Sequence, residues 1–492
     1  MKNLTLIVLI VTGITILTTV GCKEATKIGE ELSTMPPTSE GEEVDVNNEE
    51  NDQENVGTNG TSKSFCHGIS EEIVTSTNSG KIITLSPSTA GYVNNGTLKT
   101  TLRAVISAAE EGSTILLADG TYTFIENGNY NGIYITKPGI TIRSSSGDPE
   151  KVILDASYSD LGGETAPITV AAQSITIADI TIKRSIFHLI HLWNGSDNVK
   201  IHNVHLIDGG EQFIKSSPGD TNRINGGSVT CSKFIMTPIG RQNVWGYGTQ
   251  YGGTRCYTGG IDTHSTNSWQ ISDNYFEGIY CESSGGHPIH GKKRTDVAYV
   301  TYVGGLAEHA IHMWNSDAGT RHIIERNTIV NCARGIGLGL GSTLRIHGGI
   351  VRNNMIFSSH PGGSEHDVGI MLEGGADVQI YNNTLFFSHS NAYANAIEYR
   401  FSTTTGATIS NNLTNKAIAR RDSASGILTT NVTTASSSWF ANLASGNLHL
   451  ASCSIPELSE SGSVIDTNAV DVDNELRDGL APDIGADQCV EI

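Results

Sequence analysis

Seven short segments of this chain share one pattern, an isoleucine between a small or apolar residue and a more variable one. They are "HLIHLW", "QFIKSS", "GGIDTH", "HAIHMW", "RGIGLG", "VGIMLE" and "NAIEYR", centred on Ile190, Ile214, Ile261, Ile311, Ile336, Ile370 and Ile397. Strand-like openings alternate with them: "VKIHNVHLID", "WQISDNYFEGI", "HIIERNTIVNC", "GGIVRNNMIFSS" and "VQIYNNTLFFSH". These put Asn203, Asn274, Asn327, Asn354 and Asn383 near a first bend. A unit of about two dozen residues with two or three short strands is too small to bury its own apolar face, so it must stack on copies of itself. A solenoid follows. Asparagine recurring at one bend can bond its own backbone and the asparagine of the next coil, which suits a ladder along a stacked β-helix. The 55 glycines and only 6% aromatic residues agree with an all-β chain of many turns.

Outside the repeat, the chain begins "MKNLTLIVLIVTGITILTTVGC", one lysine before an apolar run that ends in small residues. Residues 1–21 therefore read as a secretory signal. Gly21-Cys22 resembles the bacterial lipobox, although Thr19 stands where that pattern prefers leucine. The resemblance implies lipidation of Cys22 and a protein exported and held on a membrane, at the cell surface, outer membrane or periplasm. Residues 22–64 carry eleven acidic and three basic side chains and almost no large apolar groups. Such a stretch cannot bury enough surface to fold and reads as a tether, leaving residues 65–492 as the folded, catalytic body. The body is only moderately acidic, and this excludes nucleic acid as the expected partner. A monomer is expected. Eight cysteines in an exported chain permit disulfides. Cys256 with Cys281 and Cys453 with Cys489 are the expected pairs, while Cys231 and Cys332, in strand-like segments, read as buried thiols.

The entry segment "GTLKTTLRAVISAAEEGSTILLADGTYTF" reads as an amphipathic helix, near Leu98 to Ala109, followed by a first coil. It resembles the N-terminal cap of the pectate-lyase-like right-handed parallel β-helix proteins. The closing "DVDNELRDGLAPDIGADQ" is similar to a terminal motif of secreted bacterial β-helix proteins. The resemblance covers about Ile82 to Gln488 and implies a right-handed parallel β-helix. Its functional reach is wider, since the superfamily holds polysaccharide lyases, mannuronan C5-epimerases, hydrolases and adhesins.

With each central isoleucine pointing inward, alternation sends its neighbours outward. One residue after come His191, Lys215, Asp262 and His312, and three after come Trp193, Ser217, His264 and Trp314. One residue before, the column turns small, with Gly260, Ala310, Gly335, Gly369 and Ala396, which reads as room for a ligand. The gaps from Ile214 to Ile261 and from Ile261 to Ile311 are about twice the repeat. Long loops beside a rigid face are where function concentrates. These two carry Trp245, Tyr247 and Tyr251, then His287, His290, Lys292, Lys293 and Arg294. Aromatic rings suit pyranose faces and cations suit carboxylates.

Removing the C5 proton of a uronic acid requires a neutralised carboxylate, a base near C5, and an acid or base on the opposite face. Breaking the 4-O-glycosidic bond then gives β-elimination, and returning the proton to the other face gives epimerisation. "YTGGIDTH" is similar to the Tyr, Asp, Pro, His cluster of the mannuronan C5-epimerases, carried onto Tyr257, Asp262 and His264, with two extra residues after the tyrosine and Thr263 in place of proline. Lys215 matches the use of Lys or Arg as C5 base in the lyases. No Asp-Asp pair occurs, which disfavours a polygalacturonase-like hydrolase. The expected catalytic group is Lys215, Tyr257, Asp262, His264, His309 and His312. Trp193, Trp245, Lys292, Arg294, Trp314 and Arg334 are expected to bind substrate, Arg334 by holding a carboxylate or by bridging to Glu308. Glu211, Asp262 and Glu308 are candidate Ca2+ ligands, and His264, His309 and His312 a candidate zinc set. The expected activity is a lyase on an anionic polysaccharide. A C5-epimerase and a non-catalytic glycan-binding surface lipoprotein are the alternatives.

Overall fold

The computed structural model describes residue 66 and residues 80–489, apart from 88–91, 95–96, 100, 127–128, 160, 162–165, 220, 245–255, 282–305, 361–365, 390–392 and 467–468. The described residues belong to one compact unit, Ser62–Ile492. The signal, Cys22 and the tether lie outside them.

Three long parallel sheets run the length of this unit. The first has 12 strands, from Ile82–Leu85 to Gly426–Thr429, and the other two have 10 each, from Gly120–Thr123 to Leu413–Thr414 and from Ile133–Ile135 to Ile418–Arg420. Each turn of the chain visits the three sheets in order, so every strand pairs with the strand one coil earlier and one coil later. The result is a right-handed parallel β-helix, with the hand that parallel crossovers adopt.

The isoleucine column is in register. Ile190, Ile214, Ile261, Ile311, Ile336, Ile370 and Ile397 pair successively in the third sheet, and all are 0% exposed. Opposite them, on the second sheet, the rings of Phe234 and Phe276 stack 4.3 Å apart. These columns form one continuous core.

The asparagine ladder stands at the bend between the first and second sheets. Asn274, Asn327, Asn354, Asn383, Asn412 and Asn431 each pass a side-chain hydrogen bond to the next, 2.9 Å at every step. Asn203 is not in it. It falls one residue early, in a left-handed conformation with φ of 50°, and donates to Asp179. Ser232 occupies the ladder position in the following coil and accepts from the Val204 backbone N–H.

The N-terminal helix spans Leu102–Ala108, shorter than expected, because Thr101 caps it by accepting from the Ala104 N–H and Leu98 belongs to a hairpin strand, Thr97–Lys99. Its buried Leu102, Val105 and Ile106 close the apolar end of the solenoid. At the other end the chain folds back over the outer face of the second sheet, where Phe440, Leu448, Ile455 and Leu458 pack with Val330, Phe357 and Phe386. Arg477 pins this segment by donating to Asn353 Oδ1 and to the Gly485 and Ala486 carbonyls.

Disulfides join Cys256 to Cys281 and Cys453 to Cys489, as expected, and Cys332 is a buried thiol. Cys231 differs from its expected state. It pairs with Cys66, 165 residues away, at a bend where its φ is 54°.

Candidate active site on the third sheet

Register fixes the site. Lys215 pairs with Asp262, and Asp262 with His312, on consecutive strands Gln212–Ser217, Gly259–His264 and His309–Trp314. Two residues further along, Ser217, His264 and Trp314 form a parallel row. Strands are about 4.8 Å apart, so side chains of neighbouring coils touch.

Lys215 Nζ lies 2.5 Å from Asp262 Oδ2 and 2.5 Å from His264 Nε2. Asp262 Oδ1 accepts from the Trp314 indole N–H at 3.0 Å, and His312 Nδ1 stands 3.7 Å from the same oxygen. The His264 ring lies 3.8 Å from the Trp314 ring, centroid to centroid. Burial alone would raise the Asp262 carboxyl, but the Lys215 charge, with His264 and His312, outweighs it and holds the group well below the usual carboxylate range. Burial, then the charge of Lys215, pushes His264 down to about 4. At neutral pH its imidazole is uncharged and Nε2 can accept from the lysine.

Tyr257, half-buried, belongs to the same cluster. Its phenol is pushed well up by burial and then by the carboxylates of Asp262, Glu211 and Glu308, so it keeps its proton. His191, one coil before Lys215, contacts Ser217 Oγ at 3.1 Å and its ring lies 4.4 Å from that of half-buried Trp193. Burial and the neighbouring Lys215 push His191 down to about 3. His188, which sequence reasoning passed over, donates from Nδ1 to the Gln212 carbonyl, while its Nε2 meets Glu211 Oε2 at 3.0 Å. Both ring nitrogens therefore face acceptors, and one proton must lie between His188 and Glu211.

The small column does not border the site. A Cβ on Gly260 would come within 2.9 Å of Phe276 in the core, one on Gly335 within 3.1 Å of Ile356, and one on Gly369 within 2.5 Å of Leu385. These residues point inward because the ladder skips them: Gln212 pairs with Gly259 and Ile214 with Ile261, leaving Phe213 and Gly260 unpaired. The same skip separates the His309–Arg334 pair from the Ile311–Ile336 pair. It turns the residues two before each isoleucine outward, so His309 shares the outer side of the sheet with His312, their ring centroids 4.6 Å apart. Arg334 lies between Glu308 and Asp367, 3.5 Å from an oxygen of each.

Neither expected metal set holds together. Asp262 has both oxygens engaged, one by an ammonium 2.5 Å away and one by Trp314, and Glu211 is turned to His188. A calcium ion at Asp262 would sit against the Lys215 charge. His264 likewise spends Nε2 on Lys215. Among the described residues two other groups could hold a metal, Glu308 with His309 and His312, and Asp471 with Asp473 and Asp487.

Trp245, Lys292 and Arg294 lie outside the described residues. The described ends of their loops do bear on the site, because the Cys256–Cys281 disulfide ties the segment that enters Gly259–His264 to the segment that leaves the next second-sheet strand, Tyr275–Glu277.

No protein-family model and no curated protein matches the chain. Solved structures do. The crystal structure of pectate lyase Pel9A superposes with a TM-score of 0.52 at 14% identity, covering 82% of this chain and 96% of that one. The PL6 family polysaccharide lyase Pedsa3628 from Pseudopedobacter saltans has a TM-score of 0.32 at 13% identity, covering 68% of this chain and 91% of that one. At such identities the likeness to Pel9A shows the parallel β-helix fold and not the chemistry.

Proposed function

We propose that the protein is a polysaccharide lyase that cleaves a uronate-containing polysaccharide by β-elimination. The observation that carries this reading is the buried Lys215, held between Asp262 and the neutral His264 on the outer side of the third sheet. Lys215 is the C5 base. To act it must first shed a proton, and His264 Nε2, 2.5 Å away and one-third exposed, is the relay in place through which that proton leaves for solvent. The lysine then takes the C5 proton, the electron pair forms the C4–C5 double bond, and the C4–O4 bond breaks. Tyr257, kept protonated, supplies the proton to the departing oxygen. Asp262 positions Lys215, and Arg334 with His309 and His312 faces the substrate carboxylate. Trp193 and Trp314, with Trp245, Lys292 and Arg294 of the long loops, would flank the sugar chain.

Purified residues 65–492 should convert at least one of alginate, pectate, ulvan, chondroitin or hyaluronan to an unsaturated product absorbing in the ultraviolet. Exchange of the C5 proton without unsaturation would assign the epimerase reading instead. Retention of a polymer with neither change would assign the non-catalytic glycan-binding one.

Export and anchoring are part of the same proposal: residues 1–21 removed, Cys22 lipidated, and a monomeric body carried on the tether. Cys22→Ser should move the protein from the membrane fraction to the soluble one with its activity intact. A wild-type chain recovered soluble and without lipid would sink the anchor.

A further inference from the structure

We propose that Glu308, His309 and His312 form a binding site for one divalent transition-metal ion of the zinc class. One ligand atom from each residue lies within 4.8 Å of the others. In a tetrahedral zinc site with bonds of ~2.1 Å, neighbouring ligand atoms are roughly 3.4 Å apart, so modest side-chain rotation closes the set.

The two histidines are prepared for this differently. His312 donates its Nε2–H to the Gly339 carbonyl at 2.9 Å. This leaves Nδ1 with the lone pair and holds the ring in place, the outer hydrogen bond that metal-bound histidines ordinarily make. His309 is 1% exposed and neither ring nitrogen has a protein hydrogen-bond partner. A buried imidazole with nothing to bond is a rare and costly arrangement that a metal ion resolves. Gly337 makes the room: a Cβ there would stand 2.7 Å from His309 Nε2.

Two nitrogens and one carboxylate suit zinc, whereas calcium takes oxygens alone. Arg334 reaches Glu308 at 3.5 Å, beyond a direct hydrogen bond, so the carboxylate can turn toward the histidines. Three protein ligands leave a fourth position open. His312 Nδ1 is 3.7 Å from Asp262 Oδ1, which puts that position beside the Lys215 cluster, where an anionic carboxylate would complete the coordination. Only this last step rests on the lyase reading.

The test is equilibrium dialysis of the purified body against zinc, with cobalt(II) as a spectroscopic probe. One zinc per chain should be retained, and cobalt should give the intense visible bands of a tetrahedral site. Glu308→Gln and His309→Gln should each weaken zinc at least tenfold, and a hundredfold excess of calcium should not displace it. His309 is wholly buried and its variant can fail to fold, so half-buried Glu308 decides. Failure to retain zinc, equal retention in a folded Glu308→Gln protein, or displacement by calcium each overturns the site. Retained zinc in a protein that cleaves no uronate polymer would leave the metal site standing and remove the lyase reading alone.

Discussion

Lys215 Nζ and Asp262 Oδ2 lie 2.5 Å apart on adjacent coils, with both side chains less than a tenth exposed. An outward-facing lysine on a strand would ordinarily be solvated and cheap to remove. This one is buried and paired, so its truncation strands a carboxylate. Removing one partner of a buried ion pair costs about 3–5 kcal/mol, whereas replacing both with apolar groups is often neutral. Lys215→Met is therefore expected to lose about that much stability in urea unfolding, and the double variant Lys215→Met with Asp262→Leu to regain most of it. Equal stability of the wild type and the single variant would show that the pair is not buried in solution.

His264 separates chemistry from stability. One-third exposed, it can be truncated without opening a cavity in the core. His264→Ala should fold normally yet turn over about a hundredfold more slowly, the ~3 kcal/mol of barrier expected for a lost proton acceptor. Trp245→Ala should instead raise KM and leave kcat near normal. Steady-state kinetics on the substrate found by screening distinguishes them, and a His264→Ala enzyme at full rate would remove His264 from the deprotonation of Lys215.

Acid sensitivity follows from the buried histidines. Burial pushes His264 and His322 down to about 4 and His191 and His366 down to about 3, from 6.5. Each binds its proton more readily in the unfolded chain than in the folded one. Their contribution to stability is thus full above pH 6.5 and is lost as pH falls from 6.5 toward 4 and 3. The slope is about 1.4 kcal/mol per pH unit for each proton taken up. His322 is the clearest case, with Nε2 donating to the Thr266 carbonyl and Nδ1 accepting from the Trp269 N–H. His322→Asn should lower stability at pH 7.5 and flatten the pH dependence. An unfolding midpoint constant from pH 7 to pH 4 would contradict these assignments.

The isoleucine column was legible because every coil repeats the same inward position, and pairing in register is the one way to stack it. From that column the rows of Lys215, Asp262 and His312 followed correctly. The error at Gly260 and its equivalents came from assuming strict alternation across a position the ladder skips. No single strand reveals such a skip, and only the facing Phe276, Ile356 and Leu385 show which way the small residues point. Asn203 failed for a related reason: a one-residue offset at a bend is invisible in the strand pattern. Cys66 with Cys231 could not be read because 165 residues intervene and only the wound solenoid brings them together. The idle nitrogens of His309 are likewise a property of packing, absent from any motif.

Position along the asparagine ladder should govern what each member is worth. Asn354 sits in the interior, 0% exposed. Its Nδ2 donates to Asn383 Oδ1 and to the Ile324 and Arg352 carbonyls, and its Oδ1 accepts from the backbone and side chain of Asn327. Alanine there leaves several buried groups unanswered, each worth about 1–3 kcal/mol, with no water to replace them. Asn431 ends the ladder and is partly exposed, so solvent can take over the bonds it accepts from Asn412. Asn354→Ala should therefore cost at least about 3 kcal/mol, and Asn431→Ala no more than about 1 kcal/mol. Because each coil depends on its neighbours, the interior variant should also broaden the urea transition. Equal losses at the two positions would mean that the ladder is solvated throughout and does not hold the coils together.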